Sequence, residues 1–551
     1  MRHLWANCTD SQPSTPPPHY YLTMCMFVTV LFFLLAIHLS SSRPVDDPVS
    51  PVLALLSQPS FSAELLQHVQ VLSDPKMKGR APGTEGETMA AQYLASQLGP
   101  LGFRVQTQRV PLLRYSVTQA SALTLAPHGS SRALSLTYGV DYVGSTLTRD
   151  LRVALAALPA VFAGYGILDA QHGHDDYRSL DVRGKAVVVL AGQPSGGAFA
   201  GLPLTYAGRW TSKYEVGMQQ GAAAVLIVHT TEKAGYPWEV VVRSNSGEQV
   251  RSPETPEGSL QVAGWISQES GEQLARMCDT TLDAWFAAAE ADTASAAMPV
   301  SVSVDLQSTF MDFEGKNVLA LLPGTQDSDD AVVVSGHLDH LGVRGGEVCP
   351  GAIDNASGCS MTLLMAKAFM QANVSFARSI LFFFPTAEES GLLGSAFFVG
   401  NSGSIKPLAC LNFDIGNVWG PTHDISLLGK DKSNLAAAFT QAAQAEGMTV
   451  SGDPAPSTGL FFRSDHFSFA KAGIPGVWMY VGHSFVDQPP DYYNKTVQQG
   501  YFNSIYHTPR DKFSADFRPD GLIQQCRVCA RVASMIAYDT SFTPECDTSC
   551  I

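Results

Sequence analysis

Four short, largely apolar runs recur in the C-terminal half of the chain, at Ala331 to Ser335, Ile380 to Pro385, Leu408 to Phe413 and Ile474 to Val481, with helical patterns between them. A strand that is apolar at nearly every residue is buried on both faces, so the alternation predicts an α/β fold with a mostly parallel sheet between helices. The residues at the end of each run narrow the chemistry. The first run ends in Ser335-Gly-His337-Leu-Asp339-His340, the second in Thr386-Ala-Glu388-Glu389-Ser390, and the third in Asn412-Phe-Asp414. Open α/β sheets bind ligands outside the carboxyl ends of their strands, so these three ends are expected to build one site. Asp354, in Gly351-Ala-Ile-Asp-Asn-Ala-Ser-Gly, falls at the start of a helix between the first two strands, and His507, in Ser504-Ile-Tyr-His-Thr-Pro-Arg, on a loop beyond the fourth.

A packed core has little reason to gather so many ionisable groups at one edge unless something cationic offsets them. With His337, Asp354, Glu389, Asp414 and His507 as ligands, three carboxylates balance two divalent ions that share one hydroxide. Nitrogen and oxygen donors without thiolate favour zinc, with manganese or cobalt as substitutes. Asp354 would bridge, leaving one histidine and one carboxylate on each ion. A pair about 3.5–4 Å apart clamps the nucleophile and the developing oxyanion, and lowers the pKa of bound water towards neutrality. Glu388, beside the ligand Glu389, stays free to serve as general base and then acid. Asp339 would orient the ring of His337.

In order and spacing, Ser-Gly-His-Leu-Asp-His, Gly-Ala-Ile-Asp-Asn-Ala-Ser-Gly, Ala-Glu-Glu-Ser-Gly-Leu-Leu-Gly-Ser, Asn-Phe-Asp, Arg-Ser-Asp-His and Tyr-His-Thr resemble the co-catalytic di-zinc exopeptidases, among them bacterial leucyl aminopeptidase and glutamate carboxypeptidase. The resemblance covers roughly residues 60 to 540. It implies a mixed eight-stranded sheet between helices, the same five ligands for two zinc ions, and hydrolysis of N-terminal residues from peptides. It also implies that Tyr506 hydrogen-bonds the tetrahedral oxyanion, and that Arg463 contacts substrate. Carboxypeptidase action on the same site is the alternative, because the end of the peptide that is recognised does not follow from the motifs. A glutaminyl cyclase with one zinc, or a non-catalytic binding member, would have altered ligands or base, whereas all are present here. Phe461, Phe462, Trp478, Tyr480 and Phe485 are candidates for an apolar specificity pocket.

A chain of 551 residues is expected to hold two to four domains. Residues 1–45 form an N-terminal tail, 46–145 the first part of the peptidase domain, and 296–551 its main part. Residues 146–295 form an inserted α/β unit, with strands at Ala160 to Gly166, Lys185 to Leu190 and Ala222 to Val228. This unit is similar to the protease-associated domain found in many such peptidases, and would act either as a lid that shapes substrate access or binds partners, or as a passive spacer. Its His172, His174, Asp175 and Asp176 follow a turn and are expected to be solvated.

Thirty-five basic against 50 acidic residues give a net charge of −15, which disfavours nucleic acid as a partner and leaves peptides as the expected one. The apolar stretch Leu22 to Leu39 reads equally as a signal peptide or as a single uncleaved anchor. Either delivers the remainder to a lumenal or extracellular space, with membrane contact only through that segment. Cys526 and Cys529 on the last helix, with Cys546 and Cys550 in the tail, suggest a disulfide that staples the C-terminus. Acceptor sequons occur at Asn373 and Asn494, while the one at Asn355 falls in the active-site turn and is expected to go unused.

Overall fold

Sixteen strands share one hydrogen-bonded sheet in the computed structural model, which describes residues 48–551 apart from 130, 131, 257 and 548–550. The apolar stretch Leu22 to Leu39 lies outside the described residues, and among the described residues no helix is long and apolar enough to cross a membrane. In chain order, the elements that frame the site begin with helices α1 (Pro59–Leu72) and α2 (Glu85–Leu98), then strands β1 (Val105–Ala120), β2 (Tyr142–Ser145), β3 (Arg152–Ala163) and β4 (Ala186–Leu190). Helix α3 (Trp210–Gln219) precedes strands β5 (Ala224–Val228), β6 (Val262–Ile266), β7 (Ser295–Leu322) and β8 (Asp327–Ser335). Helix α4 (Ser357–Ala372) leads to β9 (Arg378–Phe384), β10 (Lys406–Asn412), β11 (Asp424–Leu428) and β12 (Thr449–Ser451). Helix α5 (His466–Lys471), strand β13 (Gly476–Tyr480) and helix α6 (Pro519–Tyr538) complete the set.

Seven strands of the C-terminal half and β1 from the N-terminal part run in the order β12-β11-β13-β10-β8-β9-β7-β1. Its centre, β9, β8, β10 and β13, is parallel; β7 runs antiparallel to β1 and β9, and β11 is antiparallel to β13 but parallel to β12. The expected mixed, mostly parallel sheet is therefore present. Ala331 to Val334, Ile380 to Phe384 and Ala409 to Leu411 are buried without alternation, because helices cover both faces.

Strand β7 is 28 residues long, about 90 Å at a rise of roughly 3.3 Å per residue. Its last five residues pair with β9, while Ser295 to Gln307 pair with β3. The early part has the period-two burial of a strand with one covered face: Met298, Val300, Val302, Val304 and Leu306 point inward. From there the sheet continues through β3, β4, β5, β6 and β2, with β3 to β6 parallel. This stretch has an apolar core on each face, one including Phe162, Val188 and Leu226, the other Val161, Val187, Val225 and Trp265.

Two sequence expectations are corrected. Cys526 and Cys529 are free, buried thiols in α6, so no disulfide runs from this helix to the tail. That helix buries nearly all of one flank, and the two cysteines serve as small apolar core residues. His174 and Asp176 are buried rather than solvated; Asp176 accepts from the Ile167 backbone N–H at 2.9 Å and lies 3.1 Å from His174 Nε2. With Asp292 they form a triad that could hold an ion, but the Arg178 guanidinium pairs with Asp292 and supplies the positive charge. Asn373 and Asn494 are exposed, whereas Asn355 is buried.

Lys213 of α3 is fully buried, its Nζ donating to the carbonyls of Tyr165 at 2.5 Å and Gly192 at 2.8 Å. Burial lowers its pKa to about 7. The unfolded chain, titrating near 10.5, holds this proton where the fold releases it, so the buried lysine opposes folding fully below about 7 and progressively less as pH rises towards 10.5. Wild-type thermal stability measured against Lys213→Met is expected to rise between pH 7 and 10; a difference that stays flat across that window would contradict it.

Candidate metal centre and active site

The carboxyl ends of β8, β9 and β10 bring their polar residues together, as the sequence predicts. Asp354 lies at the middle of the cluster, before α4, and its two carboxylate oxygens face opposite ways. Oδ1 is 3.4 Å from His337 Nε2, which is also 3.4 Å from Asp414 Oδ1. Oδ2 is 3.1 Å from His507 Nε2, which is 3.1 Å from Glu389 Oε2. Each half thus pairs one imidazole with one carboxylate across a shared aspartate. Glu388 faces the same space, with Oε2 3.8 Å from His337 Nε2.

Neighbouring groups fix these side chains. Asp339 is buried below His337, with Oδ1 3.7 Å from Nδ1 of that ring. Its carboxylate also accepts the backbone N–H groups of Glu388 at 3.1 Å and Glu389 at 3.4 Å, so one residue positions three members of the site. Asp511 does the same for Asp354, accepting the N–H groups of Ile353 and Asp354 at 3.0 and 3.1 Å. Asn355 donates to the Phe413 carbonyl at 2.9 Å, and the Trp478 indole donates to the Asp414 carbonyl at 2.6 Å.

The largest organising group was not evident in the sequence. Arg80, in the turn-rich Lys78-Gly-Arg-Ala-Pro-Gly loop, is fully buried. Its guanidinium donates to the carbonyls of Leu338 (2.9 Å), Leu72 (2.6 Å), Pro350 (2.6 Å) and Gly351 (3.0 Å). It thereby joins the His337 to His340 loop to the loop that leads into Asp354. Gly79 permits the approach: it has φ +66°, and a Cβ there would meet the Gly342 and Cys349 carbonyls at 2.4 and 2.5 Å.

The electrostatics identify what the cluster lacks. Burial alone would lower His337, but the facing Glu388 and Asp414 carboxylates raise it well above the usual imidazole range. His507 is likewise raised against burial, to about 10, by Glu389 and Asp354. Burial opposes ionisation of Asp354 and Glu389, yet the facing rings hold Asp354 well below the carboxylate range and Glu389 at about 2. Glu388, by contrast, is raised well above that range by burial and by Asp414 and Glu389. A site that draws protons onto its imidazoles is short of positive charge. Divalent ions supply that charge, and two sets of buried donors, His337 with Asp354 and Asp414, and His340 with Asp354 and Glu389, are spaced to hold them. Nitrogen and oxygen donors of this kind fit zinc.

Residues 317–533 match the model of Peptidase family M28. Over this stretch the chain is similar to that family. A protein described as "probable leucine aminopeptidase 2" from Aspergillus oryzae is 26% identical over 343 residues, 60% of this chain and 62% of that protein. Its counterpart of the same description in Aspergillus fumigatus is 26% identical over 434 residues, 76% of this chain and 72% of that protein. In fold, the chain is similar to an aminopeptidase from Aneurinibacillus sp. strain AM-1, with a TM-score of 0.51 at 18% identity, covering 87% of this chain and 94% of that one. The family matched over this stretch is the one the motifs resemble, and its zinc aminopeptidases use two zinc ions.

The remaining expected site residues divide. Tyr506 stacks on the His507 ring, with centroids 3.7 Å apart, and burial together with Asp354 and Glu389 keeps its phenol protonated. Arg463 is exposed and donates to the Thr458 carbonyl at 2.7 Å; among the described residues no hydrogen bond or ion pair joins it to the metal-site cluster. It shares a small cleft with Arg209, Trp210 and Tyr236. Phe461, Phe462, Trp478, Tyr480 and Phe485 are all buried. Asp511, Arg80 and His340 were missed; only His340 had a sequence signal, its place beside His337 and Asp339. Replacing Arg80 by methionine strands four buried carbonyls and is expected to cost at least about 3 kcal/mol of unfolding free energy in a denaturant titration. A loss below about 0.5 kcal/mol, the range of an ordinary surface change, would contradict the clamp.

Proposed function

We propose that the protein is a two-zinc aminopeptidase that removes N-terminal residues from peptides. The observation that carries this reading is the Asp354 carboxylate, with one oxygen facing His337 and Asp414 and the other facing Glu389 and His507, beside a free Glu388. These five residues would hold the ions. Zinc held there would polarise the scissile carbonyl and lower the pKa of the attacking water.

Glu388 takes a proton from that water and delivers it to the leaving amine nitrogen. Its raised pKa suits both halves of the task, because a carboxyl that accepts a proton readily can hold it until the amine leaves. Tyr506, kept protonated, donates to the oxyanion that develops on the carbonyl. Asp339 orients His337 and the Glu388 backbone. The surplus of carboxylates favours a free, cationic α-amine near Glu388 and Asp414.

The stretch 146–295 reads as an inserted protease-associated domain that shapes access. Its support is contact with α5 and the segment leading to it: Tyr206 packs on Phe462 and Phe467, and Lys471 Nζ donates to Tyr206 Oη at 2.8 Å and to Glu215 at 2.7 Å. Residues 46–145 and 296–551 make up the peptidase domain, with Arg463 as a substrate contact at its rim. The apolar Leu22 to Leu39 stretch and the exposed sequons at Asn373 and Asn494 support action outside the cytoplasm, released or held by one N-terminal helix.

One observation favours a second reading. Arg209 and Arg463 line the same cleft, and after burial Arg463 is the main cause of a lowered Arg209 pKa of about 10. Paired guanidinium groups fit a terminal carboxylate, the mark of a carboxypeptidase.

Incubation of an unblocked ten-residue peptide, followed by mass spectrometry with and without a zinc chelator, decides between them. A chelator-sensitive ladder from the N-terminus is expected; one from the C-terminus would replace the first reading by the second, and no ladder across peptides of varied terminal residue would overturn both. Glu388→Gln is expected to keep its zinc and lose about 10²–10⁴-fold in kcat; unchanged turnover would remove Glu388 from the proton-transfer role. Asp354→Ala is expected to lose both ions by elemental analysis, and retention of both would show that Asp354 does not bridge.

A further inference from the structure

His340 stands with Asp354 and Glu389 among the donors spaced to hold an ion, yet the five-ligand reading gives it no role and its ring is buried inside the cluster. Its Nδ1 lies 2.6 Å from Glu389 Oε1 and 4.0 Å from Asp354 Oδ2, and its ring centroid is 5.8 Å from that of His507. Its other nitrogen, Nε2, is buried and has no hydrogen-bond partner among the described residues. Glu389 is thus divided between two imidazoles: Oε1 faces His340 and Oε2 faces His507 at 3.1 Å. An ionised carboxylate only accepts, so the short contact requires a proton on Nδ1.

The surroundings hold the ring in that pose. The His340 N–H donates to the Arg80 carbonyl at 3.3 Å. Gly351 has φ +59°, and a Cβ there would come within 2.6 Å of the His340 ring, so glycine makes the space for it. The Glu389 backbone is held from the other side by Asp339 at 3.4 Å.

We propose that His340 is a positioning residue for the second zinc position: by donating Nδ1–H to Glu389 Oε1 it leaves only Oε2 to face the ion, together with His507 Nε2 and Asp354 Oδ2. A carboxylate tied through one oxygen is a one-oxygen ligand of fixed direction, and such partners of metal ligands commonly set affinity by 10–100-fold. The inference rests on the two-zinc reading. An asparagine at this position keeps a donor N–H close to where Nδ1 lies and offers no imidazole nitrogen, so it separates positioning from direct ligation.

The test is an equilibrium competition of the purified full chain with a chromophoric zinc chelator, resolving the affinities of the first and second equivalents. Wild type is expected to bind two zinc ions. His340→Leu is expected to hold the first within about threefold and to weaken the second by about 10–100-fold, with His340→Asn restoring it to within about fivefold. His340→Ala carries the same expectation as leucine should the larger side chain prevent folding, which circular dichroism of the metal-free proteins checks. Wild-type affinity at both positions in the leucine and alanine variants, or asparagine no better than leucine, would overturn the proposal. Fewer than two ions on the wild type would instead overturn the two-zinc reading beneath it.

Discussion

Buried negative charge at one edge of the sheet is the constraint on which the rest of the structure depends. Asp354, Glu388, Glu389 and Asp414 lie within a few ångströms of one another, in a space that excludes most water. Charges desolvated this far destabilise a fold unless they are paired or hold metal. Three imidazoles, from His337, His340 and His507, answer part of the charge by rising towards their protonated forms or by donating to a carboxylate. Divalent ions would answer it more fully and let His337 and His507 act as neutral ligands.

Holding like charges together needs a rigid frame, which comes from backbone as much as from side chains. Parallel strands buried on both faces fix where β8, β9 and β10 end. Past those ends the loops are tied by carboxylates that accept from backbone N–H groups, Asp339 for Glu388 and Glu389, and Asp511 for Asp354. Arg80 reverses the polarity, using its donors on carbonyls of the same loops. Positioning of this kind leaves little freedom for the ligands, as a pair of ions sharing one aspartate requires.

Much of this was legible in the sequence, for a physical reason. Wholly apolar strands announce a sheet covered on both faces, and the residues just past them must gather at one edge, which is why His337, Glu388, Glu389 and Asp414 could be expected to cluster. What was not legible depends on contacts remote in sequence. Arg80 acts on carbonyls more than 250 residues away, and those acceptors carry no side-chain signature. Asp511 sits in an unremarkable Pro-Arg-Asp stretch, and its partners are backbone groups at 353 and 354. The disulfide expected at Cys526 and Cys529 failed because even cysteine counts say nothing of burial, and α6 turns both thiols into the core. Strand β7, pairing with β9 at one end and β3 at the other, was likewise not legible, since only its early half shows an alternating pattern.

The central claim is that Asp354 divides a two-ion site. Anomalous diffraction at the zinc edge, on crystals of the zinc-loaded protein, tests it most directly. Two peaks are expected on either side of the Asp354 carboxylate, one in reach of His337 and Asp414, the other of Glu389 and His507. A single peak, or two peaks that do not share Asp354, would contradict it.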